Sequence, residues 1–114
     1  MTATIQERLV AICGYEALLP ERGVAALLPD GTQVAVFRTH GGEVYALSNI
    51  DPFSGAAVLS RGIVGDRGGV PIVTSPLHKQ AFDLRTGACL DDAAVAVRTY
   101  PARVAAGTVL IGSP

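Results

Sequence analysis

A single all-β domain is what this sequence predicts, and three observations carry the prediction. Short apolar runs rich in Val, Leu, Ile and Tyr recur along the chain. The 13 Gly and 7 Pro of its 114 residues fall largely between those runs, where they punctuate strands. No segment shows an apolar period long enough for a helix of three turns. Strands this short are not stable alone, so the expected architecture is one of short antiparallel strands in packed sheets or a small barrel.

The elements follow in order. LVAIC, residues 9–13, is an apolar run ended by Gly14, and one helical turn is expected around Ala17 and Leu18 before Pro20. VAALL, residues 24–28, runs into Pro29-Asp30-Gly31, a strong turn signal. QVAVFR (33–38) and EVYALSN (43–49), separated by His40-Gly41-Gly42, complete a three-strand meander. Their β-branched and aromatic residues suit a pleated, partly buried surface. Residues 51–71 hold five glycines and do not read as one regular element. Short strands are read at 72–75 and 80–84, the second closed by Arg85-Thr86-Gly87. Finally, VAVRTYPARV (95–104) and TVLIG (108–112) flank Ala105-Ala106-Gly107, which reads as a hairpin with Gly107 in its turn.

Composition narrows the function classes. A chain of this length, 49% hydrophobic, buries roughly 65% of its extended surface and supports one core without a metal or disulfide staple. Nine basic and ten acidic side chains give a net charge of −1 with no run of like charge, which argues against a nucleic-acid partner. Cys13 and Cys89 are too few for a disulfide framework or a four-thiolate metal site. Each lies in or beside an apolar run, where a free cysteine ordinarily serves as a small hydrophobe. No stretch approaches the ~20 apolar residues of a membrane helix. The first twenty residues, with Glu7 and Glu16, do not read as a signal peptide. The expectation is one cytoplasmic domain over residues 1–114 with no membrane partner.

Two segments carry the functional signal: NIDPFSG (49–55) and VTSPLHKQAFDLRTG (73–87). Their layout resembles the Rieske iron-sulfur domain, in which a Cys-x-His pair and a Cys-x-x-His pair, usually with Pro beside each Cys, hold a 2Fe-2S cluster. Phe82-Asp83-Leu84-Arg85-Thr86-Gly87 matches the turn after the second of those loops, and Asn49, Pro52 and Pro76 match the loop surroundings. The ligands do not follow. Asp51 and Phe53 stand where the first Cys and His would be, Ser75 stands at the second Cys, and His78 alone keeps a ligand-type residue. A phenyl ring cannot coordinate iron, and carboxylate and hydroxyl oxygens match poorly the thiolate side of such a centre. The resemblance therefore implies a Rieske-like fold without its own cluster, with former cluster-loop regions at 49–55 and 73–80.

Together with SRGIVGDRGG (60–69) and the upstream VAVFRTHGGEVYALSN (34–49), these segments resemble the small subunit of bacterial NAD(P)H-dependent nitrite reductase. That resemblance implies an accessory subunit in assimilatory-type reduction of nitrite to ammonium. Siroheme, a 4Fe-4S cluster, FAD and NAD(P)H are then expected in the large subunit, the partner of this chain, and no cofactor here. The alternatives are a stand-alone protein-binding or regulatory module and a Rieske-type electron carrier.

No nucleophile or paired carboxylate accompanies His78, so no catalytic residue is assigned, and hydrogen bonding or packing is its expected role. Asp51 is expected to form an Asx-turn and Phe53 to cap the first loop as a packed side chain. Gly65-Asp66-Arg67-Gly68-Gly69 lacks the Gly-Lys-Ser/Thr ending and the following helix of a phosphate loop. Arg61, Asp66, Arg67, His78 and Lys79 are the candidate partner interface, because charge placed around loops on a β scaffold commonly serves recognition.

Overall fold

Ten strands and two 3₁₀ turns form the described residues, 8–113, of the computed structural model. The signal-peptide reading falls partly on residues 1–7, outside the described residues. The strands are β1 (Arg8–Gly14), β2 (Arg22–Leu27), β3 (Gln33–Arg38), β4 (Val44–Ser48), β5 (Ile63–Arg67), β6 (Val70–Thr74), β7 (Ala81–Asp83), β8 (Thr99–Tyr100), β9 (Ala102–Ala105) and β10 (Thr108–Ser113). The 3₁₀ turns are Tyr15–Ala17 and Leu59–Arg61. Three antiparallel sheets result, with strand orders β1-β10-β9, β2-β3-β4-β8 and β5-β6-β7.

β3 explains how the sheets are layered. Its run Val34-Ala35-Val36-Phe37 is apolar without alternation, and all four side chains are buried, so both faces of the strand are covered. Ala35 and Phe37 enter a core with Leu47, Leu59, Val73, Phe82 and Leu84, shared with β5-β6-β7. Val34 and Val36 enter a second core with Leu18, Leu28, Val109 and Ile111, shared with β1 and β10. Successive residues of a strand point to opposite faces, so one continuous apolar strand supplies both cores. Arg38, at the end of β3, ties the middle sheet to the Tyr15–Ala17 turn. Its guanidinium lies 4.1 Å from the centroid of the Tyr15 ring and donates a 3.0 Å hydrogen bond to the Leu18 carbonyl.

The meander over β2, β3 and β4 forms with the expected boundaries to within two residues, and the closing hairpin forms with Gly107 in its turn as expected. Residues 51–71 are not one regular element, as expected: they hold a 3₁₀ turn, all of β5 and the first residues of β6, with which β5 pairs from Ile63↔Thr74 to Arg67↔Val70. β5 lies at the edge of its sheet and buries only Val64, so it carries no apolar pattern, and its glycines belong to a hairpin. One reading needs correction. The run 95–104 is not one strand. β8 pairs with β4 at only two positions, and Pro101, lacking an N–H, ends that ladder and sends the chain to the β10 sheet.

Candidate functional site

The site is built by two loops that leave one end of the scaffold, the first after β4 and the second between β6 and β7. Asn49 fixes the exit from β4. Its N–H donates to the Gln33 carbonyl at 3.0 Å, and its Oδ1 accepts the Ser60 N–H at 2.7 Å, so the strand end and the Leu59–Arg61 turn are held together. Asp51 comes two residues later with its side chain wholly buried. Oδ1 accepts the Phe53 N–H at 2.8 Å, which is the expected Asx-turn, and Oδ2 accepts the Ser75 hydroxyl at 2.5 Å. Ser75 is itself buried. Its N–H donates to the Gln80 carbonyl at 2.9 Å and its carbonyl accepts the Lys79 N–H at 3.1 Å, closing the second loop. One side-chain hydrogen bond thus joins the two loops. A buried carboxylate is tolerable only when hydrogen-bonded, and here both oxygens are.

The four positions that resemble Rieske ligands do not fit an iron-sulfur cluster. The Asp51 and Ser75 oxygens satisfy each other and the main chain. Phe53 is half-buried, with its ring 6.3 Å from that of Phe82 and inclined at 48°, packed on the core. His78 is exposed, and no hydrogen bond or ion pair engages it among the described residues. Among the described residues, no three His, Cys, Asp or Glu side chains converge on a point suited to a metal. Cys89 is buried in the first core and Cys13 half-buried against the second; both are free thiols.

The candidate interface residues divide between the two ends of β5. Arg61 ends the 3₁₀ turn just before β5, beside the second loop, since a Cβ on Gly62 would meet the Thr74 carbonyl. His78 and Lys79 stand exposed on that loop. Lys79 has φ +63°, the left-handed region. Asp66 and Arg67 lie at the other end of β5, about 13 Å away at ~3.3 Å per residue. Both make contacts inside the chain. Asp66 Oδ2 accepts the Gly69 N–H at 3.1 Å, and Arg67 Nη1 lies 3.2 Å from Asp91 Oδ1. Asp91 Oδ2 also accepts the Ala81 N–H at 2.8 Å. That N–H, and then Arg67, hold the Asp91 carboxyl below its ordinary value. At this end a cleft of about 420 Å³ lies between the His40 turn and the β5-β6 hairpin, walled by mixed charges: Glu21, His40, Glu43, Asp66 and Arg85.

Sequence reasoning missed Asp83 and Asp91 as structural acids. Asp83 is buried at the end of β7; Oδ1 accepts the Arg85 N–H at 2.8 Å, and Oδ2 lies 3.1 Å from Arg85 Nη2. Burial by itself pushes this carboxyl up, but the Arg85 side chain, its N–H and its charge together hold it below the ordinary value. The signal was present, since Asp30, Asp51 and Asp83 each accept the N–H two residues on. Asp91 gives no such signal, because its partners lie 10 and 24 residues away.

The fold is shared with known proteins. Residues 8–112 match the family of Rieske-like [2Fe-2S] domains. Over 99 residues the chain is 50% identical to the NADH nitrite reductase small subunit of Escherichia coli K12, covering 86% of this chain and 91% of that one. It is 48% identical over 103 residues to the NAD(P)H nitrite reductase large subunit of Klebsiella oxytoca, covering 90% of this chain and 11% of that protein. A crystal structure assigned to an NADH-dependent nitrite reductase small subunit of Mycobacterium tuberculosis superposes with a TM-score of 0.93 at 54% identity, covering 96% and 97% of the two chains.

Proposed function

Because this chain belongs to the nitrite reductase small subunits, within the Rieske-like [2Fe-2S] domain family, we propose that it works without a cluster of its own, as an accessory subunit that supports the catalytic large subunit. The observation that carries the reading is the Asp51–Ser75 hydrogen bond, which closes the space between the two loops with oxygens already satisfied. The Klebsiella oxytoca relative supports the choice of partner, since the same kind of sequence is there one part of a large-subunit chain.

In this reading residues 1–114 form one cytoplasmic domain, and the former cluster loops, 49–55 and 73–80, are a rigid contact element. The electron-carrying groups (siroheme, 4Fe-4S, FAD and NAD(P)H) belong to the large subunit, in assimilatory-type reduction of nitrite to ammonium. This chain contributes shape and charge. Its buried hydrogen bonds fix the loop end before association, so less ordering entropy opposes docking.

The test is co-expression with the large subunit, followed by purification, iron and acid-labile sulfide assay of the separated small subunit, and NAD(P)H-dependent nitrite reduction by the complex and by the large subunit alone. The expected result is a stable complex whose small subunit carries no stoichiometric iron or sulfide. A stoichiometric 2Fe-2S centre on this chain overturns the cluster-free role, and failure to associate overturns the subunit role.

A further inference from the structure

Charge is segregated on this molecule in a way its near-neutral total conceals. Across residues 49–63 and 73–80 the ionisable side chains are Asp51, Arg61, His78 and Lys79. Asp51 is wholly buried, so every exposed charge of the two loops and the approach to β5 is basic, on a chain whose net charge is −1. Asp91, beside the base of the second loop, is already paired with Arg67 and the Ala81 N–H. The same surface exposes large apolar side chains: Ile63 is 73% exposed and Leu77 49% exposed, with Pro76 next to it. Lys79 sits in the left-handed region, where glycine is the default residue, so the backbone there carries strain together with a cation.

We infer that this loop end, with Ile63, Pro76 and Leu77 flanked by Arg61, His78 and Lys79, docks on a surface of the large subunit that is acidic around an apolar socket. The inference rests on the subunit reading above and adds to it the face and the chemistry of the partner. Opposite charge steers the approach, and apolar contacts at the centre set the lifetime of the complex. Asp66 and Arg67, engaged within the chain at the other end of β5, fall outside this face.

The experiment measures association of the full chain with the purified large subunit. Arg61→Glu/Lys79→Glu is expected to weaken binding roughly tenfold or more at about 0.1 M salt through slower association. The gap should close near 1 M salt, where charges are screened within ~3 Å. Leu77→Ser is expected to speed dissociation at either salt. Arg103→Glu, an exposed charge reversal on β9, should bind like the wild type. Lys79→Gly is expected to raise the thermal midpoint while weakening binding, and a variant that stabilises the fold without that loss counts against the assignment. If the wild type does not bind the large subunit, the subunit reading itself falls. If it binds and the folded loop-end variants bind equally well, only the docking face falls. Vesicles of phosphatidylglycerol and phosphatidylcholine in equal parts are the counter-probe. Binding to them that Arg61→Glu/Lys79→Glu abolishes, with large-subunit association intact, overturns the proposal in favour of a membrane surface.

Discussion

Ser75→Ala strips one oxygen of a buried carboxylate of its hydroxyl partner, so the cost is set by the group left behind. A buried acceptor left unsatisfied costs about 1–3 kcal/mol, more when charged, so we expect a loss of about 2–3 kcal/mol by urea unfolding. Asp51→Ala removes the acceptor instead, leaving the Ser75 hydroxyl and the Phe53 N–H short of a partner, and a similar loss is expected. The double variant should cost less than the two losses combined, by about 1 kcal/mol or more, because each single change already removes the shared bond. Simple additivity would mean that the two loops are held by something other than this contact. The two halves of the arrangement were not equally legible in the sequence. The Asx-turn of Asp51 was, because its partner lies two residues away. The bond to Ser75, 24 residues on, was not, because only the fold brings those residues together. The departure from the Rieske ligand pattern was readable at Asp51, Phe53 and Ser75, whereas the contact that joins Asp51 to Ser75 was not.

Among the elements, the hairpin between β9 and β10 turns on Ala106 and Gly107, with φ of +50° and +77°. A two-residue turn with both centres left-handed suits Asn-Gly, and alanine in the first place is strained. Ala106→Asn is therefore expected to raise stability by about 0.5–1 kcal/mol, read as a higher urea midpoint at unchanged m-value. An unchanged or lowered midpoint would refute the strain. Gly87, at the turn after β7, goes the other way. It has φ of +80°, and a Cβ there would press into the Val97 carbonyl, so Gly87→Ala combines backbone strain with overpacking and should cost about 3 kcal/mol or more. Elements were legible in proportion to how completely they are buried. β3 gave a clear apolar run because both its faces are covered. β5 gave none because it lies at an edge with one buried side chain, and β8 was overread because its run crosses a proline into another sheet.

At the scale of the molecule, three small sheets are joined by two apolar cores and by few charges; the described residues contain two arginine–aspartate ion pairs and a largely exposed contact of His40 with Glu21. Acid sensitivity should therefore trace to a few carboxylates, of which Asp83 is the most buried with a depressed value. The sign follows from linkage. A carboxyl held below its ordinary value of 3.8 by Arg85 contributes stability that is complete above that value and disappears as pH falls through the lower, folded one. Asp91, held down first by the Ala81 N–H and then by Arg67, acts in the same window and the same direction. The thermal midpoint should thus be level from about pH 7 to pH 5 and fall between about pH 4 and pH 2. Asp83→Asn removes the charge that Arg85 stabilises, so it should melt below the wild type at neutral pH. The two proteins should converge on acidification, because the protonated Asp83 has by then lost the same interaction. A gap of constant size down to the lowest pH would mean that Asp83 acts through shape and hydrogen bonding alone. The acid limb would then belong to Asp91 and to the self-repulsion of a chain turned cationic.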